Sequence, residues 1–277
     1  MDKMADDSRI ARPLEFYRQF IEKDVRPDGR TLEEFRPTVL NIGCIGTAEG
    51  SSLVKQGNTT VMCGIKAEIA APKTEHPKRG YIVPNVELSP MCSAMFKPGP
   101  PGDQAQCLSV FTDQVMTCSQ CMDLEELCIV PGKHVWVLYC DLVCLNYDGN
   151  LTDTCVLALL AALKNTRLPL VTWNEEDESL ATEEKGNTPV TIKHCPVSST
   201  FAVFDNHVLL VDPTKEEEDL STGEVTVVTA DDQLCMVRKP GGSPLNAGQL
   251  ADCIDRAFSR NKEVARLMNE TLNRVDR

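Results

Sequence analysis

The sequence predicts an α+β protein made of two sheet-and-helix units, and three observations carry that reading. The stretch NYDGNLTDTCVLALLAALKN, Asn146 to Asn165, reads as the end of a strand, a tight turn and a buried helix. Val61, Cys63, Ile65, Ala67 and Ile69 alternate strictly with their neighbours, as on a strand with one buried face. A second series of short apolar segments follows an acidic stretch and ends in a long amphipathic pattern.

The elements follow in order. Leu14, Phe16, Tyr17, Phe20 and Ile21 give Pro13 to Lys23 the spacing of a short amphipathic helix, and RPDGR, Arg26 to Arg30, is a turn. Thr38 to Ile45 predicts a strand. Ser51 to Gln56 and Thr59 to Ile69 predict a hairpin around Gly57-Asn58. Arg79 to Leu88 predicts a further strand. FKPGPPGD, Phe96 to Asp103, is a stiff loop that leads into an amphipathic helix over Asp103 to Met122. His134 to Leu145 is apolar on both faces, the mark of a central strand. Asp148-Gly149 then turns the chain, and Asp153 is placed to cap a helix beginning near Thr154. Val156 to Leu163 is apolar all round, so that helix belongs inside a core.

Leu168 to Trp173 predicts a short strand, and the acidic segment that follows reads as a linker. Strands are then expected over Pro189 to Pro196, Phe201 to Phe204, His207 to Val211, Glu224 to Thr229 and Leu234 to Arg238. A final helix carries Leu250, Ile254, Ala257, Phe258, Val264, Leu267 and Met268 on one side.

Composition narrows the function classes. The 277 residues are 42% hydrophobic and 25% charged, ordinary for a globular protein, and no apolar run is long enough to span a bilayer. The N-terminal MDKMADDSRI has acids and no apolar region, so no secretory signal is expected there, and a nuclear or cytosolic setting follows. The thirteen Cys lie mostly in apolar runs and read as buried hydrophobes. Cys118-x-x-Cys121 lacks a second pair at zinc spacing, so no metal site is expected. The net charge of −13 argues against a protein that binds nucleic acid over its whole surface, although a local basic strip is compatible with it. His76, His134, His194 and His207 are scattered, and Gly241-Gly242 does not form a dinucleotide fingerprint.

A helix that starts just after a strand and turn offers free N–H groups to an anion. Here the flanking residues are Gly149, Asn150, Leu151, Thr152 and Asp153, with no Arg or Lys among them. The place suits phosphate, but the cation is missing.

In order along the chain, RPDGR, GSSLVKQGNTTVMCGIKAEIAAP, DLVCLNYDGNLTDTCVLALLAAL and VDPTKEEE resemble the RNase PH family. EFYRQF, KPGPPG and CDLVCLNYDGN extend the likeness toward the ring subunits of the RNA exosome. The resemblance implies an RNase PH fold, a ribosomal-protein-like β-α-β sandwich of mixed sheets with helices in two similar α+β subdomains. It divides the chain into residues 1–30, an N-terminal helix and turn; 31–173, a first domain; 174–188, an acidic linker; and 189–277, a second domain. It implies as partners other RNase PH-like ring subunits, S1/KH cap subunits, associated exosome nucleases and RNA, and as locations nucleus, nucleolus and cytoplasm.

Active members of such a family cleave RNA with inorganic phosphate. They need a cationic cradle for phosphate, basic residues for the RNA backbone and carboxylates for Mg²⁺. The resemblance places the cradle at Leu151 and Thr152, where a small residue followed by Arg is expected. Thr donates one neutral hydrogen bond and cannot make the charged two-point contact of Arg. Asp212 and Glu218 match the family acids. They read either as a residual metal site or as a strand-end Asp followed by a solvated acidic loop. Lys78, Arg79 and Lys97 are the candidate RNA contacts, and no cofactor is expected. The expectation is a non-catalytic ring subunit. The alternatives are an active phosphate-dependent 3′-to-5′ exoribonuclease, alone or through a site shared with a partner, and a metal or redox protein using its Cys.

Overall fold

The computed structural model describes residues 12–174 and 179–275. Helix α1, Pro13–Ile21, is followed by strands β1, Thr38–Ile42; β2, Gly50–Gln56; β3, Thr59–Ala70; and β4, Tyr81–Leu88. Helix α2, Asp103–Cys118, leads to β5, Cys128–Val130, and β6, His134–Asn146. Helix α3, Leu151–Asn165, precedes the hairpin strands β7, Arg167–Asn174, and β8, Ser179–Pro189. Then come β9, Pro196–Phe204; β10, Val208–Val211; α4, Lys215–Leu220; β11, Gly223–Ala230; β12, Gln233–Arg238; and α5, Ala247–Val275.

The larger sheet runs β1-β2-β3-β6-β4, with β5 also paired to β6. β6 is therefore central, antiparallel to β3 and parallel to β4, as its two apolar faces require. The smaller sheet runs β10-β9-β11-β12, all antiparallel. Helix α3 lies between β2 and β3 of one sheet and β9 of the other. Leu151 and the run Thr154 to Leu163 are buried, so the helix is apolar on every face because both sheets cover it. The second unit closes with α5, whose Cys253 and Ala257 pack with Phe201, Val225 and Val227.

Four local expectations are corrected. The cap of α3 is Asn150, and the helix begins at Leu151: Asn150 Oδ1 accepts from the Asp153 N–H at 3.4 Å, while Asp153 turns its carboxylate elsewhere. Much of the expected linker 174–188 is strand β8, paired to β7 from Arg167↔Pro189 to Asn174↔Ser179, with 175–178 outside the described residues. Backbone pairing overrides the polar composition there. The strand expected over Pro189 to Pro196 is not formed. β8 ends at Pro189, β9 begins at Pro196, and the intervening chain contributes only the bridge Met122↔Ile192. The acidic run after Asp212, for which a solvated loop was one of the two readings, is the helical turn Lys215–Leu220, because Thr214 and Glu217 close a reciprocal capping box.

Candidate functional site

The turn before α3 is held by its neighbours on all sides. Gly149 has φ +76, and a Cβ there would lie 2.5 Å from the Thr214 carbonyl carbon and 2.6 Å from the Lys215 nitrogen. Only Gly allows the turn to approach this closely. Thr59 Oγ1 donates to the Gly149 carbonyl at 2.6 Å and accepts from the Asp148 N–H at 3.1 Å, which ties the turn to the β2–β3 hairpin.

Asp212 lies behind the turn, fully buried. Arg36 Nη2 donates to Asp212 Oδ1 at 2.8 Å, and its Nε and backbone N–H donate to Oδ2 at 3.0 and 2.8 Å. Asn150 Nδ2 adds a bond of 2.6 Å to Oδ1. Burial alone would raise this carboxyl, but the Arg36 bonds and charge outweigh it and hold the pKa down at about 2. The RPDGR turn serves the same junction. Arg26 Nη2 reaches the Val211 carbonyl at 2.7 Å, Arg26 Nε meets Glu217 at 3.2 Å, and Arg30 Nη1 donates to the Asp212 carbonyl at 3.1 Å. Glu217 is buried, so the acidic run is not a solvated loop.

Glu218 occupies the entrance to α3. Its Oε1 accepts from the Asn150 N–H at 2.6 Å, and its Oε2 accepts from the Tyr147 hydroxyl at 2.9 Å. Burial pushes its pKa up to about 7, against the pull of those two bonds. The protein's own carboxylate thus lies at the helix end where an external anion would be drawn. Asp153 points away from this end and accepts from the Thr200 N–H and hydroxyl at 2.8 and 2.9 Å.

Thr152 and Glu218 line a cavity of about 190 Å³ together with Tyr147, Glu224 and Arg238. Leu151 also borders it, although its side chain is buried. Arg238, at the end of β12, corrects the impression that no cation reaches this place: it is distant in sequence but adjacent in space. Two carboxylates face it, however. Burial raises the pKa of Glu224, the charge of Asp153 adds to that, and Arg238 offsets part of it.

The residues do not fit a magnesium site. Both Asp212 oxygens are taken by Arg36 and Asn150, and both Glu218 oxygens by Asn150 and Tyr147. Among the described residues no group of three or more His, Cys, Asp or Glu is placed to hold a metal ion. Lys97 borders a separate groove of about 660 Å³ beside Phe96 and Gln104. Arg79 borders another, with Asp123 and Lys193, and Lys78 is exposed beside it. Lys97 thus borders a different groove from the one beside Lys78 and Arg79.

Comparison with known proteins follows this geometry. The models of domain 1 and domain 2 of the 3′ exoribonuclease (RNase PH) family match residues 34–169 and 194–260. The chain belongs to the RNase PH family. Within it, the chain is 43% identical to the exosome complex component rrp43 of Schizosaccharomyces pombe over 249 residues, covering 90% of this chain and 92% of the relative. It is 36% identical to the exosome complex component Rrp42 of Pyrococcus furiosus over 276 residues, covering 99% of each. Among solved structures, a chain of the Archaeoglobus fulgidus exosome with RNA bound to the active site superposes with a TM-score of 0.82 at 32% identity, covering 96% of this chain and 99% of that one. The RNase PH fold, in two α+β units, is therefore shared with exosome core chains.

Sequence reasoning did not single out Arg36, Glu224 or Arg238, and it placed Asn150 at the turn without giving it the capping role. Only Asn150, next to Asp148-Gly149, carried a local signal, since Asn tolerates the left-handed backbone it adopts at φ 49.

Proposed function

We propose that this chain is a non-catalytic structural subunit of an RNA exosome ring. It contributes to 3′-to-5′ RNA processing and degradation, including ribosomal RNA maturation and messenger RNA turnover, by joining the ring and lining part of the RNA path. The exosome names of its relatives support the assembly. One observation carries the silence of the site: Glu218 accepts the Asn150 N–H at 2.6 Å at the start of α3, where Thr152 stands in place of a cation. Inorganic phosphate entering there would meet Glu218 and Glu224 with Arg238 as the one cation in the cavity lining. Loss of a charged cradle of this kind removes on the order of a thousandfold or more in rate.

The partners are other RNase PH-like ring subunits, S1/KH cap subunits, the associated nucleases and RNA, and the setting is nucleus, nucleolus and cytoplasm. Among the described residues no helix is long and apolar enough to cross a membrane.

The test is phosphate-dependent release of nucleoside diphosphates from RNA with a single-stranded 3′ end, by the chain alone and in complex with co-expressed RNase PH-like partners. The expected result is a stable complex in which this chain contributes no release. Release by the chain alone would make it an enzyme.

A further inference from the structure

The cavity beside Thr152 contains two oppositely charged groups that satisfy each other only in part. Among the described residues neither the Glu224 nor the Arg238 side chain makes a hydrogen bond or a close ion pair, although both line the same space and the Arg238 charge acts on Glu224. Neither side chain is among the buried groups left without a partner, so their polar atoms open onto the cavity, where a ligand can reach them. The guanidinium carbon of Arg238 lies 4.9 Å from the ring centroid of Phe111, which is 1% exposed. Arg238 is thus held against a buried aromatic ring. At about 190 Å³ the cavity falls below the roughly 300–1,000 Å³ typical of sites for drug-sized ligands, so it admits a ring system and not a whole nucleotide.

Phosphate is the wrong occupant, because Glu218 and Glu224 both repel it. A flat base that donates two hydrogen bonds side by side is the complementary one. Guanine presents adjacent N1–H and N2–H₂ donors on its Watson–Crick edge, which one carboxylate accepts together. Adenine and cytosine each place a ring acceptor beside the amine, and uracil flanks its single N–H with two carbonyls, so each would leave a carboxylate oxygen facing an acceptor. Stacking on Arg planes combined with edge hydrogen bonds is a usual way to read an unpaired base. We propose that this cavity is a guanine-selective base pocket, with Glu224 reading the base edge and Arg238 stacking on its face. The assignment rests on the ring-subunit reading only for the source of the base, a single-stranded RNA.

Binding of guanosine, inosine, adenosine, cytidine and uridine to the full chain, measured by ligand-observed NMR, tests it without phosphate and without partners. Guanosine is expected to bind about tenfold tighter than inosine, which lacks the N2 amine, and than the other nucleosides. Glu224→Gln should abolish that preference, while Arg238→Ala should weaken all five together. Equal binding of guanosine and inosine by the unaltered chain would overturn the pocket, as would a preference that survives Glu224→Gln in a variant with an unchanged circular dichroism spectrum. Such a result leaves ring assembly untouched, whereas failure to join the partners would overturn the ring reading and leave guanosine selectivity standing.

Discussion

Arg36 and Asp212, 176 residues apart, form a two-point ion pair with Nη2 at 2.8 Å from Oδ1 and Nε at 3.0 Å from Oδ2. Both are buried, and Arg36 Nη1 also reaches the Asp148 carbonyl at 2.6 Å. The pair therefore links the entry to β1, the turn before α3 and the end of β10. Asp212, expected either as a residual metal ligand or as a strand-end Asp followed by a solvated loop, does stand at the end of β10, but its carboxylate is committed to Arg36 and ties the strand end to the turn.

Replacing Asp212 leaves a buried guanidinium without its partner. Asp212→Asn is expected to cost about 3–5 kcal/mol in urea unfolding, while the apolar double variant Arg36→Met with Asp212→Leu should cost less than the single change. The acid dependence follows from the depressed pKa. The folded carboxyl titrates near 2 and the unfolded one near 3.8, so its contribution is present above about pH 4 and is lost as pH falls toward 2. The difference in stability between the unaltered chain and Asp212→Asn should shrink across that window. A constant difference from pH 6 to pH 2 would refute the pairing.

Glu218 has the opposite sign. Its folded pKa of about 7 stands above the ordinary 4.5, so the folded state holds its proton longer. Stability from this group is complete below about pH 4.5 and is lost as pH rises to about 7. Glu218→Gln cannot ionise, and it should flatten the fall by on the order of 2 kcal/mol between those values. Thermal melts of both proteins from pH 4.5 to 8 would show parallel curves if the carboxylate were solvated.

Adding the missing cation should not create an enzyme. Thr152→Arg would bring a guanidinium into a cavity that already holds Glu218, Glu224 and Arg238, where the carboxylates would pair with it. No phosphate-dependent release of nucleoside diphosphates is expected from the variant. Turnover within about tenfold of an active relative, against the thousandfold deficit expected of a lost cradle, would mean that position 152 alone silences the site.

Much of this fold could be read along the chain, and the reason is periodicity. The alternation of Val61, Cys63 and Ile65, the two apolar faces of β6 and the all-round apolarity of α3 each follow from burial that repeats at short range. Asp148-Gly149 announced the turn through the chemistry of its backbone. The site was less legible because it is assembled from afar. Arg36 meets Asp212, Tyr147 meets Glu218, and Thr152 shares a cavity with Arg238 across separations with no local pattern. Strand β8 was missed for a related reason, although its partner β7 was expected: the identity of β8 as strand lies in pairing and not in composition.

The thiols provide a check on the core that is independent of the site. Cys44, Cys107 and Cys118 are exposed, while Cys63, Cys140 and Cys155 are buried. Burial pushes the Cys155 and Cys121 pKa values up to about 12 and raises those of Cys63 and Cys140 as well. A thiol reagent at neutral pH attacks the thiolate, so the native chain should show fast modification at the three exposed positions and none at the buried Cys63, Cys140 and Cys155. All thirteen should react after unfolding in denaturant. Rapid labelling of Cys63 or Cys155 in the native chain would place them outside the core and contradict the packing of α3 against β3.

Gly149→Ala tests how tightly the turn is clamped between the two units. The residue has φ +76, and its missing side chain leaves room for the backbone of Pro213, Thr214 and Lys215, with the Pro213 oxygen 2.7 Å from where a Cβ would stand. These neighbours are backbone atoms and cannot swing aside as a side chain would. Any Cβ must therefore displace α4 from the turn and lengthen the bond from Asn150 to Glu218. The expected cost is at least about 1–3 kcal/mol, from the left-handed backbone together with the clash. Gly99, at φ +141 with open space around it, is the control: Ala there meets nothing within 4 Å and bears only the backbone term. Chemical denaturation of both variants should rank Gly149→Ala well below Gly99→Ala, and equal stabilities would mean that the turn and α4 are not in contact in solution.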